Sequence, residues 1–417
     1  MYAYRTRNGI EEEQQQQQEE ERALETSPPT TYIETTCPRW DVDAGHAWAV
    51  LDRRLDTYEQ AADALQGALR SCICPRVDGA QAVANACSRL LVLSRRIGSP
   101  SADAEVYETV VLPRDHSAGA DPFSRATGED VHMAVKVLAI VGDDSAARNN
   151  TEMGIAQAVS DLVRAGVSPY FPLVYGTTYC DAVAYAPGSL LGAAARDYDL
   201  RQQMIEAAPP SRRRQMRALV RTAPDLASLG EALAAYGLAG IGEGQLDPDR
   251  PLPAHLLVSE MAWGDLSSVA ERTPLTADQW FGVVRGVLSA IGALQSHLSV
   301  VHNDLHFGNI LVAVVATDDD DDDNGTAPGA HCPQALLPLV HDFGRSYQVE
   351  VWMADDRVRD VEKVIEGLLS REVPPAVRAA AEELDRFVSV LRTRDYVMDE
   401  IINVWDQLAA EAQAGMI

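Results

Sequence analysis

Two short acid-bearing segments, each beside an apolar, strand-like run, constrain this chain more than any other feature. The first reads Val301-His302-Asn303-Asp304-Leu305-His306-Phe307-Gly308-Asn309-Ile310-Leu311-Val312. The second is His341-Asp342-Phe343-Gly344, its aspartate 38 positions after Asp304. Groups that far apart in the chain can act together only if the fold returns them to one place.

Around this pair the hydrophobic pattern divides the chain. Residues 1–30 are low-complexity, with Glu and Gln alone from Glu11 to Glu21, and have almost nothing apolar to bury, so a disordered tail is expected. Trp48, Leu51, Leu55, Tyr58, Ala62 and Leu65 recur at helical spacing. A second helix is expected through Val83, Ala86, Cys87, Leu90 and Leu91, which makes 31–87 a helical N-terminal extension. Strand signals lie at Leu90–Ile97, Glu105–Leu112, His132–Ile140 and Leu256–Met261, and a strand pair is expected around Gly176 within 171–186. A helix is expected over Thr151–Ala165, closed by Gly166 and Pro169. Residues 187–250 read as an Ala-rich helical insertion, and its cluster of Arg212, Arg213, Arg214, Arg217 and Arg221 reads as a solvated helix face. A long helix runs from Ala277 to about Leu298, with Trp280, Val283, Val284, Val287, Ile291, Leu294 and Leu298 on one face. The insertion 317–334 holds the aspartate run Asp318–Asp323. It lacks the interleaved carbonyl ligands and turn glycines of a calcium loop and reads as a solvated tip. Beyond residue 350 the pattern is helical to the end.

Composition excludes several classes. A net charge of −27, from 62 acids against 35 bases, is wrong for a nucleic-acid binder, which needs a basic surface. The six cysteines, Cys37, Cys72, Cys74, Cys87, Cys180 and Cys332, show no regular framework, and Cys72-Ile-Cys74 is one residue tighter than a C-x-x-C site. They read as reduced structural thiols. No apolar run approaches the roughly 20 residues of a membrane span, and the polar, acidic start is no signal peptide. A soluble, cytoplasmic monomer without a membrane partner is expected.

The acids and amide suit one chemistry. Phosphoryl transfer needs in-line positioning and neutralised phosphate charge, with little covalent help. One acid can orient and deprotonate a hydroxyl, while the amide and the other acid hold magnesium against nucleotide phosphates. The strand Met133-Ala134-Val135-Lys136 adds a lysine inside an apolar run, which is costly unless paired. Glu152 is the sole glutamate between Lys136 and Glu206, and it lies in phase with Ile155, Val159, Leu162 and Val163, so an inward Lys136–Glu152 pair is expected.

With these residues in order, 302–309 resemble the catalytic loop of the protein-kinase-like superfamily, and the likeness spans roughly residues 90–370. The family pattern His-x-Asp-Leu-x-x-x-Asn falls on His302, Asp304, Leu305 and Asn309. The resemblance implies that Asp304 is the catalytic base, that Asn309 and Asp342 bind Mg2+, and that Lys136 with Glu152 grips the phosphates of ATP. It implies a phosphate loop at Gly98, Ser99, Ser101, Ala104 and Val106, and a pocket lined by Ala134 and Leu311. The segment Leu256–Leu266 would be the hinge. Adenine would bind there through backbone near Glu260 and Ala262, with Ser259 flanking the pocket and Asp265 reaching the ribose. The implied fold is α+β and two-lobed: a small antiparallel β-sheet lobe over 88–262 that holds the 187–250 insertion, and a mostly helical lobe over 263–417 that holds the 317–334 loop.

The chain also departs from the pattern. Gly98 is the sole glycine of the phosphate loop, and small residues stand in for the others. Asn303 replaces a frequent arginine, so activation-loop phosphorylation is not the expected switch. His306 replaces a lysine common in Ser/Thr kinases, and Asp-Leu-His-x-Gly-Asn is shared with aminoglycoside- and choline-kinase-like enzymes and with a few divergent protein kinases. No Ala-Pro-Glu follows, and 75 residues remain after Asp342 (417 − 342). Asp360 is either an anchor beneath the catalytic loop or a solvated acid. Three activities stay open. One is a Ser/Thr protein kinase resembling the divergent kinases of large DNA viruses, acting on a protein substrate in host cytoplasm or virion. The others are a small-molecule phosphotransferase and an ATP-binding pseudokinase. The pseudokinase is disfavoured because Lys136, Glu152, Asp304, Asn309 and Asp342 are all present.

Overall fold

The computed structural model describes residues 51, 54–62, 65, 89–97, 104–113, 133–142, 144–183, 189–224, 226–236, 238, 246–247, 250, 252–315, 335–391 and 398–416. The expected tail, the glycine-poor loop residues Gly98, Ser99 and Ser101, the aspartate run and Cys72–Cys74 lie outside them.

Five strands form an antiparallel sheet in the order β1-β2-β3-β5-β4. They are β1 Arg89–Ile97, β2 Ala104–Pro113, β3 Met133–Ala139, β4 Val174–Val183 and β5 Leu252–Glu260. β3 sits between β2 and β5, and every residue of it is buried except Lys136, as a central strand of β-branched and aliphatic side chains requires. Leu90 and Leu91 belong to β1, so the second expected helix does not extend this far, and its remaining residues lie outside the described set. The expected strand pair around Gly176 is a single strand. Gly176 marks a register shift in β4 against β5, where the strand bulges without turning back. Cys180, fully buried on β4, is disulfide-bonded, which corrects the expectation of a reduced thiol at this position.

Residues 54–62 are helical (α1), as are Leu51 and Leu65. Helix α2, Ser145–Arg164, starts six residues, or about 1.7 turns, before the expected Thr151. Asn149 donates to the carbonyls of Leu138 and Ala139 at 3.1 Å each, which ties α2 to the end of β3. The insertion forms α3 Leu190–Ala207, α4 Arg213–Thr222 and α5 Leu226–Ala235 around its own core of Ile205, Met216, Val220, Leu229 and Leu233. Ser189 caps α3 by accepting from the Gly192 amide. Its hydroxyl also donates to the buried Glu105 carboxylate on β2 at 2.7 Å. The arginine cluster on and before α4 is exposed, as a solvated face should be.

The rest of the described chain is mostly helical: α6 Leu266–Arg272, α7 Ala277–Ala293, α8 Ala354–Leu369, α9 Pro375–Leu391 and α10 Met398–Gln413. A Thr276/Gln279 capping box opens α7, which continues as a π-turn over Leu294–Leu298 and stops at Ser299, φ 52°. β6 Gly264–Asp265, β8 Ile310–Val315 and β9 Ala335–Val340 form a three-stranded sheet in the order β6-β8-β9, and β7 Val300–Val301 pairs with β10 Tyr347–Gln348. The result is a mixed α+β fold with small antiparallel sheets. No helix among the described residues is long and apolar enough to cross a membrane.

Candidate active site

Strand alternation places the sheet-borne residues. Val106, Lys136 and Leu257 are register partners, as are Ala134 and Ser259, and Ala104 lies two residues before Val106. Because side chains alternate with period two, Ala104, Val106, Ala134, Lys136, Leu257 and Ser259 share one face. Glu260 falls on the opposite face, opposite Met133.

Lys136 is the centre of the charged cluster. Its Nζ lies 2.5 Å from Glu152 Oε1 on α2 and 2.8 Å from Asp342 Oδ1 just after β9. The expected Lys136–Glu152 pair is therefore present, although the buried face of α2 runs through Glu152, Ala156, Val159 and Val163. Ala156 is buried there, and Ile155 is half-buried beside it. Burial alone would lower the Lys136 pKa, but the two carboxylates outweigh it and hold the ammonium charged. Burial likewise pushes Asp342 up, and the Lys136 charge overrides it, so Asp342 sits well below the usual carboxylate range. Glu152 is raised, by burial first, since two carboxylates share one ammonium. Gly344 leaves room for this crowding: a Cβ there would lie 3.1 Å from Glu152 Oε2 and 3.3 Å from Asp342 Oδ1.

The segment 302–309 is held from both sides. Asp360 on α8 is fully buried, and its Oδ2 and Oδ1 accept the His302 and Asn303 amides at 2.8 Å each. Of the two expectations for Asp360, the anchor is the one realised. His302 Nε2 meets the His341 carbonyl at 2.8 Å, and its ring lies 5.2 Å from that of Phe343. Asn303 and Asp342 both adopt left-handed φ, 65° and 64°, a conformation that persists where surrounding bonds over-determine it. Asn303 accepts from Arg359 at 3.0 Å and donates to the Arg345 carbonyl at 3.2 Å, so an uncharged link ties the loop to the segment after Asp342.

Asn309 Nδ2 donates to the Asp304 carbonyl at 2.9 Å, and the His341 amide donates to the Asn309 carbonyl at 3.1 Å. Asp304, Asn309, Asp342, Lys136 and Glu152 are thus linked through consecutive bonds. The bonds to Asp342 from Lys136 and Gly344 both use Oδ1. Asn309 spends its Nδ2, which leaves its amide oxygen for a cation. A magnesium ion would fit this donor set: one carboxylate and one amide suffice when phosphates and water supply the remaining ligands, and Glu152 and Asp342 together carry one more negative charge than Lys136 neutralises. Among the described residues no group of three or more His, Cys, Asp or Glu is placed to hold a metal unaided.

Other expected residues sit differently. Asp265 uses both carboxylate oxygens on Ser268, at 2.9 Å to its amide and 2.7 Å to its hydroxyl, and so caps α6. Leu311 lies directly opposite Asp265 on β8, Ala262 is half-buried, and Ser259 points its hydroxyl along the chain to the Glu260 carbonyl at 3.4 Å. His306 curls over Gly308, whose amide donates to Nδ1 at 3.0 Å.

Two residues were not anticipated. Arg345 places Nε 3.5 Å from Asp304 Oδ2 at the exposed mouth of the site, and its position directly after Asp-Phe-Gly was the available signal. Arg54 on α1 is buried against Glu260. It falls three residues after Leu51 and four before Tyr58, where the expected stripe has Leu55 instead. No protein-family model matches this chain, and no curated protein is similar enough to match it.

Proposed function

We propose that this protein transfers the γ-phosphoryl group of ATP to a Ser or Thr hydroxyl of a protein substrate, on a two-lobed protein-kinase-like scaffold. The observation that carries this reading is the double contact of Lys136, to Glu152 at 2.5 Å and to Asp342 at 2.8 Å. A charged, largely buried ammonium held between two carboxylates is poised to bind anionic oxygens, and Glu152 keeps it in place while Asp342 turns to other work.

In the reaction Lys136 binds the donor's phosphate oxygens. Asp304, whose side chain is 31 % exposed, receives the acceptor's proton as the hydroxyl oxygen bonds to the γ-phosphorus. The bond from that phosphorus to the β–γ bridging oxygen breaks, and ADP leaves with the electron pair. Asn309 and Asp342 would hold magnesium, which when bound neutralises phosphate charge. Asp360 keeps the Asp304 loop in register from below, through the amides of His302 and Asn303. Arg345 supports a protein acceptor over an aminoglycoside- or choline-like one. A guanidinium beside the base repels a cationic amino-alcohol and is compatible with a neutral or acidic peptide.

The test is transfer from labelled ATP with magnesium, offered to generic proteins, the protein itself and a panel of amino-alcohols. Label on protein is expected, falling about 10²–10⁴-fold in Asp304→Ala. Label confined to an amino-alcohol would move the acceptor class, and ATP binding without transfer would sink the enzymatic reading.

A further inference from the structure

Arg54 is buried, with 8 % of its surface exposed, and a guanidinium in that position is tolerated only when fully paired. All three of its nitrogens are bonded. Nε and Nη2 grip the two oxygens of Glu260 at 3.0 and 2.5 Å, while Nη1 donates to the Pro169 carbonyl and Nη2 to the Phe171 carbonyl, both at 2.6 Å. Glu260 closes the knot: its Oε1 also accepts the Leu173 amide at 2.8 Å, and its own amide donates to the Leu173 carbonyl at 2.9 Å. One fork-to-fork ion pair thus joins α1, the link between α2 and β4, and the last residue of β5.

The helix cannot roll away from this contact. One turn on, Tyr58 packs against Tyr175 at 5.8 Å between ring centroids and lies under Arg164 at 5.0 Å. Leu51, Ala61 and Leu65 are buried on the same stripe. β5 ends at Glu260, and the chain beyond it, Met261 to Trp263, is half-buried without regular structure until β6. The side chain of Glu260 faces away from the Lys136 face, so its anchoring sets the backbone of the β5 exit without occupying the pocket.

We infer that Arg54 is a positioning residue for the nucleotide: by fixing Glu260 it sets where the backbone after β5 presents its amides and carbonyls to an adenine, so α1 is a working part of the site. This rests on the phosphotransferase reading above. Preorganised backbone improves ground-state binding of the nucleotide base and has little to add at the transferring phosphorus.

The experiment compares the full chain with Arg54→Lys and with the double variant Arg54→Met/Glu260→Met. Lysine keeps the charge but loses the fork, and the double variant replaces the ion pair by apolar groups of similar volume while leaving the Pro169 and Phe171 carbonyls and the Leu173 amide without these partners. Affinity for a fluorescent ATP analogue with magnesium, KM for ATP, KM for acceptor, kcat and Tm are measured. About a tenfold loss in nucleotide affinity and a matching rise in KM for ATP are expected in both variants, with kcat and acceptor KM little changed and the double variant lower in Tm but still folded at the assay temperature. Wild-type nucleotide affinity in the variants would overturn the inference alone. So would recovery of affinity together with Tm in the double variant, since the pair would then be merely structural. A wild-type protein that binds no nucleotide would overturn both this inference and the reading it rests on.

Discussion

Replacing Asp360 by alanine tests the foundation of the candidate site without assuming any activity. The carboxylate is fully buried and accepts two main-chain amides, those of His302 and Asn303, at 2.8 Å each. A buried donor left without a partner costs about 1–3 kcal/mol. His302 is fully buried and bears that cost in full, whereas Asn303 is half-buried and water recovers part of it, so the loss should total about 2–4 kcal/mol. Asn303 also sits at φ 65°, a conformation costing roughly 1–2 kcal/mol, which the Asp360 bond helps to impose. With the tie gone, the loop should relax. The expected outcome is a fall of several degrees in Tm and faster hydrogen exchange at the amides of residues 302 and 303, while exchange on β3 stays slow. Asp360→Asn keeps one acceptor oxygen and should lie between the two. Unchanged protection at both amides, with Tm within about 1 °C of wild type, would refute the reasoning.

Two further outcomes follow from packing and charge. His255 on β5 is buried with Nδ1 unpartnered, and burial lowers its pKa below the usual value, so the fold keeps the ring neutral while the unfolded chain takes up a proton below pH about 6.5. Stability is therefore complete above that pH and lost as pH falls toward the lower folded pKa; His255→Leu should lose less between pH 7 and pH 5 in urea titrations, and equal losses in both proteins would count against this. Gly286 on α7 has no room for a methyl group, since a Cβ would lie 2.6 Å from Pro338 Cγ on β9 and 2.9 Å from Tyr170 Cε1. Gly286→Ala should cost about 1–3 kcal/mol, and a variant as stable as wild type in denaturant would show that the helix–strand approach is looser than this.

Local patterns carried the strands, the long helices and the order of the chemical groups. β3 could be read because a central strand is apolar on both faces, which made Lys136 conspicuous. The same logic failed where a side chain's neighbour lies far along the chain. On α1 the expected stripe used Leu55 and Ala62, whereas Arg54 and Ala61 are the buried residues, because a charged residue counts as solvent-facing until its partner is known. The Asp265 cap on α6 was likewise illegible, because it depends on where that helix begins.

By itself the sequence determined where most of the strands and long helices lie, though not their bounds, and which residue types are available for chemistry, since both follow from periodicity and composition over a few turns. Tertiary structure decided the pairings: Lys136 with Asp342, Arg54 with Glu260, and Asp360 with the amides of the loop. Lys136–Asp342 and Arg54–Glu260 each span 206 positions. Charges that distant in the chain meet only after the hydrophobic core has closed, and burial then makes each of them obligatory to the other.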